Sequence, residues 1–102
     1  MDCIYHITTS QEWNNALQTG SYEAASLKEE GFIHCSQQEQ LAEVLTRYFS
    51  GKKDLVQLTI DPAKLKSRLI YEWSPSLAQT FPHIYGPINA DAVVKTETID
   101  NA

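Results

Sequence analysis

The chain has 102 residues, of which 8 are Lys or Arg and 13 are Asp or Glu, so its formal net charge is −5. Its hydrophobic fraction of 42% predicts one folded domain over residues 1–102, with an ordered core from about residue 3 to residue 97. The acidic balance argues against non-specific nucleic-acid binding, which depends on basic residues. The sequence has neither the roughly 20 apolar residues of a membrane span nor a signal-peptide pattern, so a cytoplasmic protein without membrane contacts is expected.

The first third of the chain predicts strands and helices in alternation. Residues 3–8 are rich in β-branched and aromatic side chains and predict a strand. Thr9 with Glu12 three positions on matches a capping box, which predicts that a helix starts there. A short helical turn over 26–31 and a second strand over 32–36 follow.

The clearest helix comes next. Ser36 with Glu39 three residues later repeats the capping-box pattern, so Ser36 is expected to cap this helix. Apolar residues at positions i, i+3, i+4, i+7 and i+8 then predict a single buried stripe packed on the sheet. These residues are Leu41, Val44, Leu45, Tyr48 and Phe49.

The second half predicts strands only, over 55–61, 68–73, 83–86 and 91–98. Prolines flank the segment 83–86, so an edge strand or a strand start is expected there. Helices that come early and strands that follow one another late predict an α+β fold. We expect two main helices near the N-terminus and a C-terminal end, 97–102, that frays.

All three histidines of the chain fall within predicted strands. Side-chain alternation places each of them on the same face as other candidate ligand contacts: Thr8 beside His6, Phe32 and Ser36 beside His34, and Tyr85 beside His83. We therefore expect the three imidazoles to meet in one cleft, with Cys3 and Cys35 behind it on the core side. No close His or Cys spacing typical of a metal site is present, so no metal is expected.

Two other interpretations of the histidines remain open. Each imidazole could be a hydrogen-bonded structural group of a strand. Alternatively, the repeated pattern H-x-[ST] at 6–8 and 34–36 resembles that of two-histidine phosphoesterases, in which two imidazoles act as acid and base on a cyclic phosphate.

The segments IYHIT, GFIHCS and FPHIYGPI resemble the family called domain of unknown function 952, and the resemblance covers residues 3 to about 95. That family is similar to the ADP-ribosyltransferase superfamily, whose split antiparallel sheets enclose an NAD cleft. The resemblance therefore implies a small, mostly antiparallel, split sheet of the ADP-ribosyltransferase-like type. The resemblance implies that His6 contacts the nicotinamide-side ribose and that His34 packs against nicotinamide. Glu72 is a candidate by residue type for the superfamily's catalytic glutamate, whereas the strand nearest in order offers His83 and Tyr85 instead.

The sequence therefore supports three hypotheses. The first is a cleft that binds NAD or a related nucleotide, with ADP-ribosyl or phosphoryl-type transfer as the reaction. The second is a metal-free phosphoesterase that uses His6 and His34, and the third is a non-catalytic binding module with structural histidines. The candidate catalytic residues are His6, His34, His83 and Glu72, and the candidate ligand contacts are Ser36, Tyr85, Thr8 and Phe32.

Overall fold

The computed structural model of the chain describes residues 2–99. In this part of the chain the helices are Ser10–Thr19 (α1), Ala25–Glu30 (α2) and Leu41–Tyr48 (α3). The strands are Ile4–Thr9 (β1), Ser21–Tyr22 (β2), Ile33–His34 (β3), Leu55–Ile60 (β4), Arg68–Ser74 (β5), Gln79–Tyr85 (β6), Ile88–Asn89 (β7) and Val93–Ile99 (β8). Single 3₁₀ turns span Gln38–Gln40, Pro62–Lys64 and Ala90–Ala92.

The strands of the described region form three antiparallel sheets in the orders β1-β4-β8, β2-β7 and β3-β6-β5. The α+β class with antiparallel sheets is therefore confirmed. The expectation of two main helices near the N-terminus was too simple, because the described residues form three helices and α3 ends only at Tyr48. Of the end that was expected to fray, residues 97–99 belong to β8, and residues 100–102 lie outside the described residues.

Thr9 caps α1, as the sequence predicts. The Oγ1 of Thr9 accepts the backbone N–H of Glu12 at 3.1 Å and donates to the Glu12 carboxylate at 3.1 Å. At the other end of α1, Gly20 takes a left-handed conformation with φ 84°, and its N–H bonds to the carbonyl of Ala16. The turn lets the chain enter β2 directly after α1.

The core lies between the sheets and is built from alternate residues of their strands. Its fully buried members come from five strands and include Ile4, Ile33, Leu58, Ile84 and Ile88. Tyr5 and Ser36 join the first sheet to the end of β3 through two backbone hydrogen bonds, of 2.8 and 2.7 Å. Two of the sheets therefore share backbone pairing as well as apolar contacts.

The prediction of a buried stripe on α3 is wrong. None of its members is fully buried, and Tyr48 keeps 51% of its surface exposed. Val44, Tyr48 and Phe49 line a cavity. An amphipathic pattern shows which face of a helix is apolar, but it does not show whether the space beneath that face is filled.

Ser36 does not cap the following helix, because its backbone is held in extended pairing with Tyr5. The capping box forms one residue later, where the N–H of Gln37 bonds to the side-chain oxygen of Gln40 at 2.9 Å. The box opens the 3₁₀ turn that leads into α3. The side chain of Ser36 is thereby released from the capping role expected of it.

The segment 83–86 was expected to be an edge strand or a strand start, but residues 83–85 belong to β6, which starts at Gln79 and is the central strand of its sheet. Pro82 lies inside this strand. Its carbonyl accepts the N–H of Cys35 at 3.0 Å, so its nitrogen faces the β3 side, where the short β3 ladder ends at His34. Cys35 and Pro82 therefore share one backbone hydrogen bond, where a residue with an N–H at position 82 could make two.

Within residues 2–99, no helix is long and apolar enough to cross a membrane.

The two leucines Leu58 and Leu45 test this description of the core. Leu58→Ala should lower the free energy of unfolding by about 2–5 kcal/mol, because that side chain is fully buried and leaves a cavity. Leu45→Ala removes the same atoms from half-buried α3 and should cost about 1 kcal/mol. Urea unfolding monitored by circular dichroism measures both values. Equal losses at the two positions would contradict the half-open packing of α3.

Candidate functional site

A cavity of about 700 Å³ opens between β1, the start of α2, β3, α3 and the β5–β6 hairpin. This volume lies within the range of sites that bind small molecules and cofactors. Aromatic side chains form much of its wall: Tyr48 and Phe49 at the end of α3, Trp73 at the end of β5, and Phe81 on β6. Trp73 is 63% exposed, which is unusual for so large an apolar side chain outside a binding surface.

The structure brings most of the sequence-predicted site residues to this cavity. Five of them line it: His6, Thr8, His34, Ser36 and His83. The other three lie directly beside His83: Phe32 stacks on its ring, Glu72 accepts a hydrogen bond from it, and Tyr85 bonds to Glu72. Cys35 belongs to the core and also borders the cavity, while Cys3 is half-buried.

His6 is held at both ring nitrogens by protein groups. Its Nδ1 lies 2.6 Å from the carbonyl oxygen of His34, which can only accept, so Nδ1 carries the proton. Its Nε2 lies 2.8 Å from the hydroxyl of Tyr22. Burial lowers the pKa of His6 to about 4, so the ring is neutral near pH 7. A direct contact of His6 with a ribose would first have to break one of these two bonds.

The hydrogen bonds continue from His6 toward the surface. The hydroxyl of Tyr22 lies 3.0 Å from Oγ1 of Thr8, and this oxygen lies 3.3 Å from the carboxylate of Glu12 on α1. Burial raises the pKa of Tyr22 to about 12, so the phenol keeps its proton. Sequence reasoning missed Tyr22 and Glu12 as site residues. Tyr22 reaches the site only because the two-residue strand β2 pairs with β7 far along the chain.

His34 and His83 form a second group at the cavity. They are direct cross-strand partners on β3 and β6, and their ring centroids lie 5.3 Å apart with an edge-on geometry. The Phe32 ring stacks on His83 at 4.1 Å and meets the edge of His34 at 4.8 Å. The two imidazoles are thus held side by side by one aromatic ring.

A carboxylate orients each of these imidazoles. Glu72 accepts from Nδ1 of His83 at 2.8 Å and from the hydroxyl of Tyr85. The bonds from Tyr85 and then from His83 lower the pKa of Glu72, and the Glu72 bond raises the pKa of Tyr85. Because an ionised carboxylate only accepts, the proton of neutral His83 sits on Nδ1 and Nε2 keeps a lone pair. Glu30 holds Nε2 of His34 at 2.9 Å in the same way.

Two further groups line the cavity near His34. Ser36 is buried, and the described residues offer its hydroxyl no hydrogen-bonding side chain, so a ligand could use it. Burial strongly raises the pKa of the Cys35 thiol, which makes it a poor nucleophile. Over residues 2–99, no three His, Cys, Asp or Glu side chains are grouped so as to hold a metal ion.

The fold and the site define a small α+β protein of antiparallel sheets with a histidine- and aromatic-lined cavity. The chain belongs to the family of proteins of unknown function DUF952, whose model matches residues 7–96. The chain is similar to the crystal structure of protein CC0527 from Caulobacter crescentus, with a TM-score of 0.87 and 33% identity over 96% of this chain and 86% of that one. The solution NMR structure of CC0527 gives a TM-score of 0.79 at 33% identity, over 98% and 86% of the two chains. No curated protein matches the chain.

The two thiols should differ sharply in reactivity. A disulfide reagent such as DTNB should label Cys3 in the native protein and leave Cys35 unreacted, because Cys35 is buried and its pKa is raised. In concentrated urea both thiols should react. Cys3→Ser should abolish the native reaction, and rapid native labelling of that variant would show that the Cys35 side of the cavity opens readily.

The burial of His6 should make stability depend on pH. In the unfolded chain this imidazole has a pKa of 6.5, whereas in the folded chain its pKa is about 4. Stability is therefore full above pH 6.5 and is lost as the pH falls toward 4, by about 3 kcal/mol from this group. Urea unfolding at several pH values should show a flatter profile for His6→Gln than for the parent. Parallel profiles would contradict a depressed pKa.

Proposed function

We propose that the cavity binds a nucleotide with a planar heterocyclic ring, NAD or a related molecule, and that His34 and His83 act on it in a group-transfer reaction. The observation that carries this proposal is the set of flat side chains around the cavity. Aromatic faces stack on heterocyclic bases with little dependence on the base. The sequence resemblance to the ADP-ribosyltransferase superfamily supplies NAD as the first nucleotide to test.

The charges at the cavity favour a ligand with few phosphates. Among the described lysines and arginines, Lys52 alone lines the cavity, and its ammonium lies 5.4 Å from the centroid of the Phe49 ring. Glu12 brings a negative charge to the same wall. One cation can neutralise one phosphate, so a mononucleotide or a nucleoside should bind at least as well as a dinucleotide.

The imidazole pair supports chemistry on the bound ligand. In the neutral rings, Nε2 of His83 and Nδ1 of His34 are the nitrogens that carry lone pairs, since carboxylates hold the other two. Such a nitrogen can accept the proton of an attacking hydroxyl, which ADP-ribosyl and phosphoryl-type transfer both require. Glu72 does not line the cavity, so its role is to orient His83 rather than to meet the ligand.

A phosphoesterase that uses His6 and His34 as its acid and base is less well supported, because protein groups occupy both nitrogens of His6. If the cavity acts on cyclic phosphates, the pair that performs the reaction is His34 and His83. Turnover of cyclic phosphates without any response to NAD would favour this alternative.

Binding can be followed through tryptophan fluorescence. Trp73 is exposed at the cavity while Trp13 is buried in the core, so a stacked base should quench mainly Trp73. NAD, nicotinamide mononucleotide, AMP and nicotinamide form the titration panel. Trp73→Ala should weaken the binding measured by calorimetry by about 5- to 150-fold, the effect of losing one stacking partner worth about 1–3 kcal/mol.

Tyr71→Ala is the matched control, because Tyr71 is an exposed aromatic residue of the same strand that does not line the cavity. This variant should bind as tightly as the parent. The proposal fails if no member of the panel binds, or if the Trp73 and Tyr71 variants lose affinity to the same extent.

A further inference from the structure

The hydrogen bonds from His34 to Glu12 form one continuous chain in the cavity wall. The carbonyl of His34, His6, Tyr22, Thr8 and Glu12 make four successive contacts of 2.6, 2.8, 3.0 and 3.3 Å. Both ends, a carbonyl and a carboxylate, can only accept. The last four of these residues all line the cavity, and Glu12 is exposed to solvent.

The chain has fewer protons than contacts when His6 is neutral and Glu12 is ionised. His6, Tyr22 and Thr8 then hold one proton each for four contacts. Because the first proton is fixed between His6 and the His34 carbonyl, one of the other three contacts must lack a hydrogen. The rotation of the Tyr22 and Thr8 hydroxyl groups decides which of these contacts lacks it.

One added proton removes this deficit. A proton bound at Glu12 can pass to Thr8 while the proton of Thr8 passes to Tyr22 and that of Tyr22 passes to Nε2 of His6. The product is a protonated His6 and an ionised Glu12, with both hydroxyl groups intact and a hydrogen in every contact. Only O–H and N–H bonds break and form, and the net change is one proton taken from water.

We propose that Glu12, Thr8 and Tyr22 form a proton relay between solvent and His6, and that this relay supplies or removes the proton of a reaction in the cavity. Its substrate would be a molecule with a hydroxyl or ring nitrogen that exchanges a proton with the hydroxyl of Tyr22 or Thr8. Other titratable groups that face the relay are His34 and Cys35. The relay can be tested on the free protein, so its failure and that of the ligand proposal are separable.

The test follows the protonation of the His6 ring by ¹⁵N NMR as the pH is lowered. In the parent background, Glu12→Gln should move the His6 transition to lower pH, because it removes the ionised carboxylate that accepts the last hydrogen bond of the relay when His6 is protonated. Thr8→Val keeps the size and β-branching of the buried residue but interrupts the relay. In the Thr8→Val background, adding Glu12→Gln should therefore cause little further shift of the His6 transition.

Two more variants separate a relay from a structural role. Thr8→Ser retains the hydroxyl and should restore the coupling between Glu12 and His6. Thr9→Val removes a different hydroxyl from the Glu12 carboxylate, together with the helix cap, and should lower stability without uncoupling His6 from Glu12. If Glu12→Gln shifts the His6 transition by the same amount in the parent and in the Thr8→Val variant, the carboxylate acts through space and the relay is excluded.

Discussion

One buried imidazole connects the sheets of the described region to one another. His6 belongs to β1, its Nδ1 bonds to the backbone of β3, and its Nε2 bonds to Tyr22 on β2. Each of these strands is part of a different sheet. Because the ring is 8% exposed, water cannot easily replace it, and loss of the imidazole would remove a partner from the His34 carbonyl and leave Thr8 as the remaining partner of the Tyr22 hydroxyl.

This connection explains why the three histidines differ in their hydrogen-bond partners. His6 fixes the position of the His34 backbone, and the cross-strand pairing with His83 then places the two remaining imidazoles together. Those two rings are oriented by carboxylates and retain nitrogens for a ligand. The apolar side of α3 stays half-exposed because it faces the cavity beside them. The site thus combines a rigid hydrogen-bonded wall with an open aromatic one.

The sequence predicted those features that depend on local patterns. Alternation along strands and the Thr9 capping box gave β1, β4, β5 and α1 with bounds close to those observed. Features that depend on distant pairing were missed or misplaced. Two-residue strands such as β2 carry no periodic signal. Ser36 does not cap the following helix because its backbone pairs with Tyr5, 31 positions earlier. Pro82 lies in a central strand, where its backbone keeps a single hydrogen bond with Cys35.

The candidate site, like the fold, could be predicted only where it depends on local sequence patterns. Side-chain alternation along the strands identified the histidines and Thr8 as candidate site residues. The hydrogen-bond partners that determine their chemistry lie on other elements. Glu12 lies on a helix, Glu30 ends another, and Tyr22 arrives through β2. Residue type and spacing could identify an imidazole as polar and inward-facing. They could not show that His6 is occupied at both nitrogens, because that depends on the packing of three sheets.

The central claim is that His6 holds the structure together while His34 and His83 meet the ligand. The most direct measurement is a ¹H–¹⁵N NMR spectrum of all three imidazoles at neutral pH, recorded with and without a nucleotide that binds. The account predicts that the ring signals of His34 and His83 move on binding, while His6 remains a neutral ring with its proton on Nδ1. A His6 signal that shifts on binding while the signals of His34 and His83 stay fixed would contradict it.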